Sequence, residues 1–141
     1  MAALFLTTSI DIKAKANEVW HALTDKETIK KYFFGTEAES TWEVGSPITF
    51  SGVWEGKPYQ DKGTILEKID NKFLKYNYWS NMSGTEDKPE NYANITYTLS
   101  ENDGETLLTL TQDNIKDQKQ LEHSEGNWQH LLKAMKELIE K

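Results

Sequence analysis

The sequence predicts an α+β domain in which helices cover one side of an antiparallel sheet. Three observations predict it. The last twenty or so residues carry an apolar stripe at helical spacing, and residues 36–112 switch to a period of two broken by regular turn signals. Between the first strand and that run lie two short segments of helical period. Residues 4–12 mix β-branched and large apolar side chains and end in the alternation Ile10-Asp11-Ile12, a strand. Val19, Ala22 and Leu23 then stand at i, i+3, i+4, with Asn17 the expected N-cap. Asp25 restarts a second helix, with Thr28 three residues on and Ile29, Tyr32 and Phe33 on one face, ending near Gly35.

Six further strands are expected near 37–43, 47–54, 60–69, 72–80, 91–100 and 105–112. Val44-Gly45-Ser46, Glu55-Gly56-Lys57-Pro58, Asp70-Asn71, a polar loop at 81–90 and Asn102-Asp103-Gly104 separate them. Asp103-Gly104 is the clearest hairpin signal. Alternation places Leu74, Tyr76 and Tyr78, and Ala93, Ile95, Tyr97 and Leu99, on the side that meets the helices. The closing helix shows Trp128, Leu131, Leu132, Met135, Leu138 and Ile139 on one face, while Lys133, Lys136, Glu137 and Glu140 cover the other. It is long enough to cross a whole sheet.

Composition bounds the function. The 141 residues are read as one domain, 1–141, with a core that needs no disulfide or structural metal. Zero cysteines removes thiolate metal sites, iron–sulfur clusters and cysteine nucleophiles. All 16 positive charges are lysine, and the formal net charge is −7. Without the guanidinium fork that reads phosphate and guanine, nucleic acid is excluded as the main partner, and anionic membrane surfaces are disfavoured. No segment is long and apolar enough to insert in a bilayer, and the start lacks a basic n-region, so the cytoplasm is the expected compartment. The sequons Asn81-Met82-Ser83 and Asn94-Ile95-Thr96 are read as chance occurrences.

Ser9-Ile10-Asp11-Ile12-Lys13-Ala14 followed by Glu18-Val19-Trp20-His21-Ala22-Leu23-Thr24-Asp25 resembles the opening strand and helix of the family named for the activator of the heat-shock ninety chaperone ATPase. This family is part of the START-like (SRPBCC) superfamily. Tyr32-Phe33, Val44-Gly45 with Ile48-Thr49-Phe50-Ser51-Gly52, and Gly63-Thr64-Ile65-Leu66-Glu67 before Leu74-Lys75-Tyr76-Asn77-Tyr78 continue the likeness. Gly126-Asn127-Trp128-Gln129-His130-Leu131-Leu132-Lys133 resembles the family's closing helix, with one residue inserted after the glycine. The resemblance implies the helix-grip fold: a curved sheet of about six or seven strands wrapped around a long C-terminal helix. It also implies a cavity between them for a hydrophobic or amphipathic small ligand. Chaperone partnership is a second implication, although the namesake's separate chaperone-binding domain has no counterpart in this chain.

Aromatic residues crowd the expected sheet, and tryptophan and tyrosine suit a cavity because each joins an apolar face to a hydrogen-bonding tip. The ordinary alternative is core packing, since strands favour aromatics anyway. Phe50, Trp54, Tyr76, Tyr78, Tyr97, Trp128, Leu132 and Met135 are the expected ligand-binding set. No cofactor is expected. Of the three histidines, His21, His123 and His130, the last two are two helical turns apart but no carboxylate completes a ligand set with them, and no Gly-x-Ser-x-Gly elbow or phosphate loop occurs. Glu43, Glu55, Glu67, Asp61 and Tyr76 are the candidates for acid–base chemistry in a cyclase-like enzyme, a reading ranked below binding because strand carboxylates usually face water.

Overall fold

A computed structural model describes residues 4–33, 35–54, 56–80, 86–115 and 117–140. In chain order the elements are β1 (Leu4–Ile12), α1 (Ala16–Thr24), α2 (Lys26–Tyr32), β2 (Glu37–Glu39), β3 (Pro47–Trp54), β4 (Lys57–Ile69), β5 (Phe73–Ser80), β6 (Ala93–Asn102), β7 (Glu105–Ile115) and α3 (Gln118–Ile139). Every strand pair is antiparallel, in one seven-stranded sheet of order β1-β7-β6-β5-β4-β3-β2. Asp103 and Gly104 sit at φ 53° and 81°, the left-handed pair that a tight hairpin needs, and they set the β6–β7 register from Asn102↔Glu105.

The inward face is the expected one. Leu74, Tyr76, Ala93, Ile95, Tyr97, Leu99, Leu108 and Leu110 are buried under the helices. Across them α3 lays Leu131, Leu132 and Met135, each at most 2% exposed. Burying each such side chain stabilises by roughly 1.5–3 kcal/mol. The far end of α3 is clipped to the edge strand: Lys136 Nζ donates to the Asp11 carbonyl at 2.6 Å, and Glu140 accepts from the Lys13 N–H at 2.9 Å. Among the described residues no helix is long and apolar enough to cross a membrane.

Two local expectations change. Asn17 does not cap α1; the N-cap position is Lys15, two residues earlier, and the Ala16 N–H is satisfied by Glu101 Oε1 at 2.6 Å, reaching over from the end of β6. Asp25 does cap α2, accepting from the Thr28 N–H at 3.1 Å and its hydroxyl at 2.6 Å. β2 stops at Glu39 and does not run to residue 43. There Ser40 Oγ takes the Trp42 N–H at 3.0 Å and Trp42 turns to φ 62°, which ends the ladder. β4 conversely starts at Lys57, because Trp54↔Lys57 closes a tighter hairpin than expected. Asn81 to Ser83, one of the two sequons, and Glu55 lie outside the described residues; Asn94 is half-buried within β6.

Candidate functional site

Inward-facing positions of β3, β5 and β6 bring Phe50, Tyr76 and Tyr97 side by side, and the helices complete the enclosure. Phe33, just past α2, stacks on Phe50 at 5.6 Å; Phe50 meets Tyr76 at 5.8 Å, and Tyr76 meets Tyr97 at 6.4 Å. Trp128 of α3 stands edge-on to both Tyr97 at 6.4 Å and Phe33 at 6.5 Å. Five rings thus close a circuit, at separations typical of aromatic pairs. Leu23, Ile29, Tyr32, Trp42 and Leu74 complete the wall around a chamber of about 10 Å³. That is room for a single water molecule at most.

The rings carry polar tips inside an apolar core. Tyr32 donates to the Ala22 carbonyl at 2.9 Å, Tyr76 and Tyr97 hydrogen-bond each other, and Trp128 Nε1 donates to Gln112 Oε1 at 2.6 Å. Burial pushes the phenols of Tyr32, Tyr76 and Tyr97 above the usual range, so all three stay neutral.

Toward the outer end of the same face the lining turns polar. Tyr78 packs its ring on Phe50 at 6.4 Å and donates its hydroxyl to Asp61 Oδ2 at 2.6 Å. Asp61 stands opposite Phe50 on one side and Ser80 on the other, and only 6% of it is exposed. Burial raises its carboxyl above the usual carboxylate range, against the pull of the Ser80 and Tyr78 hydroxyls. Thr36, fully buried, shares a short hydrogen bond with Tyr59 nearby on β4.

Of the expected set, the chamber wall contains Phe50, Tyr76 and Tyr97, and Trp128 closes the aromatic circuit. Tyr78 bridges from Phe50 to Asp61. Leu132 and Met135 are buried in the core and do not line the chamber, and the side chain of Trp54 lies outside the described residues. Leu23, Ile29, Tyr32, Phe33, Trp42 and Leu74 were not in that set; the helical face of Ile29, Tyr32 and Phe33 was the signal that pointed to three of them. Among the acid–base candidates Glu43 and Glu67 face solvent, and Asp61 and Tyr76 are buried. Among the described residues no group of three His, Asp or Glu could hold a metal. A larger groove of about 330 Å³ lies open between α1, α2 and the end of α3, where Glu18, His21 and Lys31 border Leu138 and Ile139.

Residues 13–140 match the family described as "Activator of Hsp90 ATPase homolog 1-like protein". The chain belongs to this family. Family membership agrees with the helix-grip architecture, a curved sheet gripping a long C-terminal helix. A Cytophaga hutchinsonii protein solved in solution is 40% identical with a TM-score of 0.87, covering 99% of this chain and 96% of that one. Two more distant members of the fold are the Aha1 dimer from Colwellia psychrerythraea (20% identity, TM-score 0.77, 97% and 96% covered) and CalU16 from Micromonospora echinospora (24%, 0.74, 97% and 76%). A search of the curated proteins returns no relative.

Proposed function

We propose that this family member binds a small amphipathic ligand in the chamber that the sheet forms with α1 and α2, beside Trp128 of the long helix α3. We further propose that α2 and Phe33 move aside to admit it. The whole chain acts as one domain, and no covalent chemistry is assigned to it. The observation that carries the reading is the closed circuit of Phe33, Phe50, Tyr76, Tyr97 and Trp128 beside the chamber, with hydroxyl and indole tips buried among its rings. A core built only for stability gains nothing from burying so many tips that each need a partner. A ligand gains both an apolar bed and specific hydrogen bonds.

Native mass spectrometry of the purified protein, followed by release and identification of any bound molecule, tests this directly. A stoichiometric ligand supports the reading. A protein that is empty and also leaves the neutral probe N-phenyl-1-naphthylamine unquenched and unshifted overturns it. The alternative is a protein-interaction module, favoured by the chamber's volume of only about 10 Å³ and by Phe5, Val53 and Ile69, each more than half exposed. Such a module would bind neither probe nor metabolite.

A further inference from the structure

Asp61 is the most unusual polar side chain on the gripping face. It is 94% buried by its 6% exposure, its Oδ2 accepts from Tyr78, Ser80 also hydrogen-bonds the carboxyl, and among the described residues its Oδ1 has no hydrogen-bond partner. A buried acceptor left unpaired costs its full desolvation, so such groups in native structures normally await a partner. The surroundings say which partner. The neighbours are hydroxyls: Tyr78 and Ser80 beside the carboxyl, and Tyr59 with Thr36 one step along β4. No lysine or histidine among the described residues pairs with Asp61, and the chain contains no arginine. Tyr78 ties this spot to the aromatic circuit, since one ring touches Phe50 and the same residue's hydroxyl touches Asp61.

Building on the ligand-binding reading above, we infer that Asp61 Oδ1 receives the polar end of the ligand. The ligand is accordingly a neutral amphipath ending in a hydroxyl donor, phenolic or alcoholic, and carboxylate, sulfate and phosphate amphipaths are rejected. A hydroxyl donor on Oδ1 completes the carboxylate's shell while its apolar body lies along Tyr78 and Phe50. An anionic headgroup there would face a carboxylate with no cation to balance the pair, which costs more in a low dielectric than in water.

Three compounds of one shape separate the outcomes: naphthalene, 2-naphthol and 2-naphthoate, titrated by calorimetry at pH 7 into the wild-type protein and Asp61→Asn. The wild type should bind 2-naphthol about tenfold or more tighter than 2-naphthoate and several-fold tighter than naphthalene. In Asp61→Asn, which keeps an acceptor for Tyr78 and removes the charge, the naphthol-to-naphthoate ratio should fall about tenfold. Binding of naphthol and naphthoate with equal affinity by the wild type, or a ratio unchanged by Asp61→Asn, overturns the inference and leaves the chamber standing. Failure of all three compounds and of N-phenyl-1-naphthylamine to bind overturns the ligand-binding reading and this inference with it. The wild-type comparison alone decides the matter should the variant fold poorly.

Discussion

Asp61 carries a consequence for stability that is independent of any ligand. Burial raises its folded-state pKa above the unfolded value, so the folded chain holds its proton more tightly than the unfolded chain does. The stability linked to that proton is fully present below the ordinary carboxylate pKa of 3.8 and is lost as pH rises through the raised folded value. Asp61→Asn removes the dependence. It should melt higher than wild type at pH 7, by about 1 kcal/mol, with the gap closing toward pH 4; thermal melts at both pH values measure it, and a variant less stable at pH 7 refutes the account. Gly63 is the opposite kind of position. A Cβ there would lie 1.7 Å from the Asn77 carbonyl oxygen, which is backbone and cannot step aside. Gly63→Ala should cost about 3 kcal/mol, read as a lower denaturant midpoint at unchanged slope. The sequence singles out Asp61 only as one of several acid–base candidates, ranked low because strand carboxylates usually face water, and nothing in the pattern marks the close approach at Gly63. What decides both is a neighbour more than ten positions away, Tyr78 for one and Asn77 for the other.

At the scale of elements, local chemistry was readable and long-range chemistry was not. The Asp25 cap of α2 depends on a residue three positions away and was visible as a pattern; the Glu101 cap of α1 crosses 85 positions and was not. The same division explains the strands. β1 and β3 match their expected bounds because residue types that favour strands are bounded by turn or helix signals, whereas β2 is cut short where Trp42 adopts φ 62°. A left-handed tryptophan costs roughly 1–2 kcal/mol, a conformation that burial of its indole in the chamber wall offsets. Since Asp25 holds the first turn of α2, and α2 roofs the chamber, Asp25→Ala should lose about 1 kcal/mol of stability. Amide exchange within 26–32 should rise more than exchange in α3; equal increases in both helices would show that α2 is not an independent unit.

At the scale of the whole molecule, the fold class, the strand count and the gripping helix were all legible, because each rests on periodicity and on the family resemblance. The chamber's volume was not. Whether rings leave space for a ligand turns on separations of a few tenths of an ångström, and no residue pattern encodes those. Phe33 is the ring through which that space is most easily changed, being half-buried and in contact with both Phe50 and Trp128. Phe33→Ala should lower stability by about 2–4 kcal/mol and increase the affinity for N-phenyl-1-naphthylamine, measured by fluorescence titration. A variant that loses stability without gaining affinity would mean that the space collapses. The clip between α3 and β1 bears on time as well as on structure. With Lys136 on the Asp11 carbonyl and Glu140 on the Lys13 N–H, the long helix is fastened at its far end. On the ligand-binding reading proposed above, entry falls to the short helix. A reaction that must wait for a door has a ceiling: in rapid mixing, the observed association rate should level off as probe concentration rises, and the plateau is the opening rate of α2. A rate that climbs linearly without limit would place the entrance elsewhere.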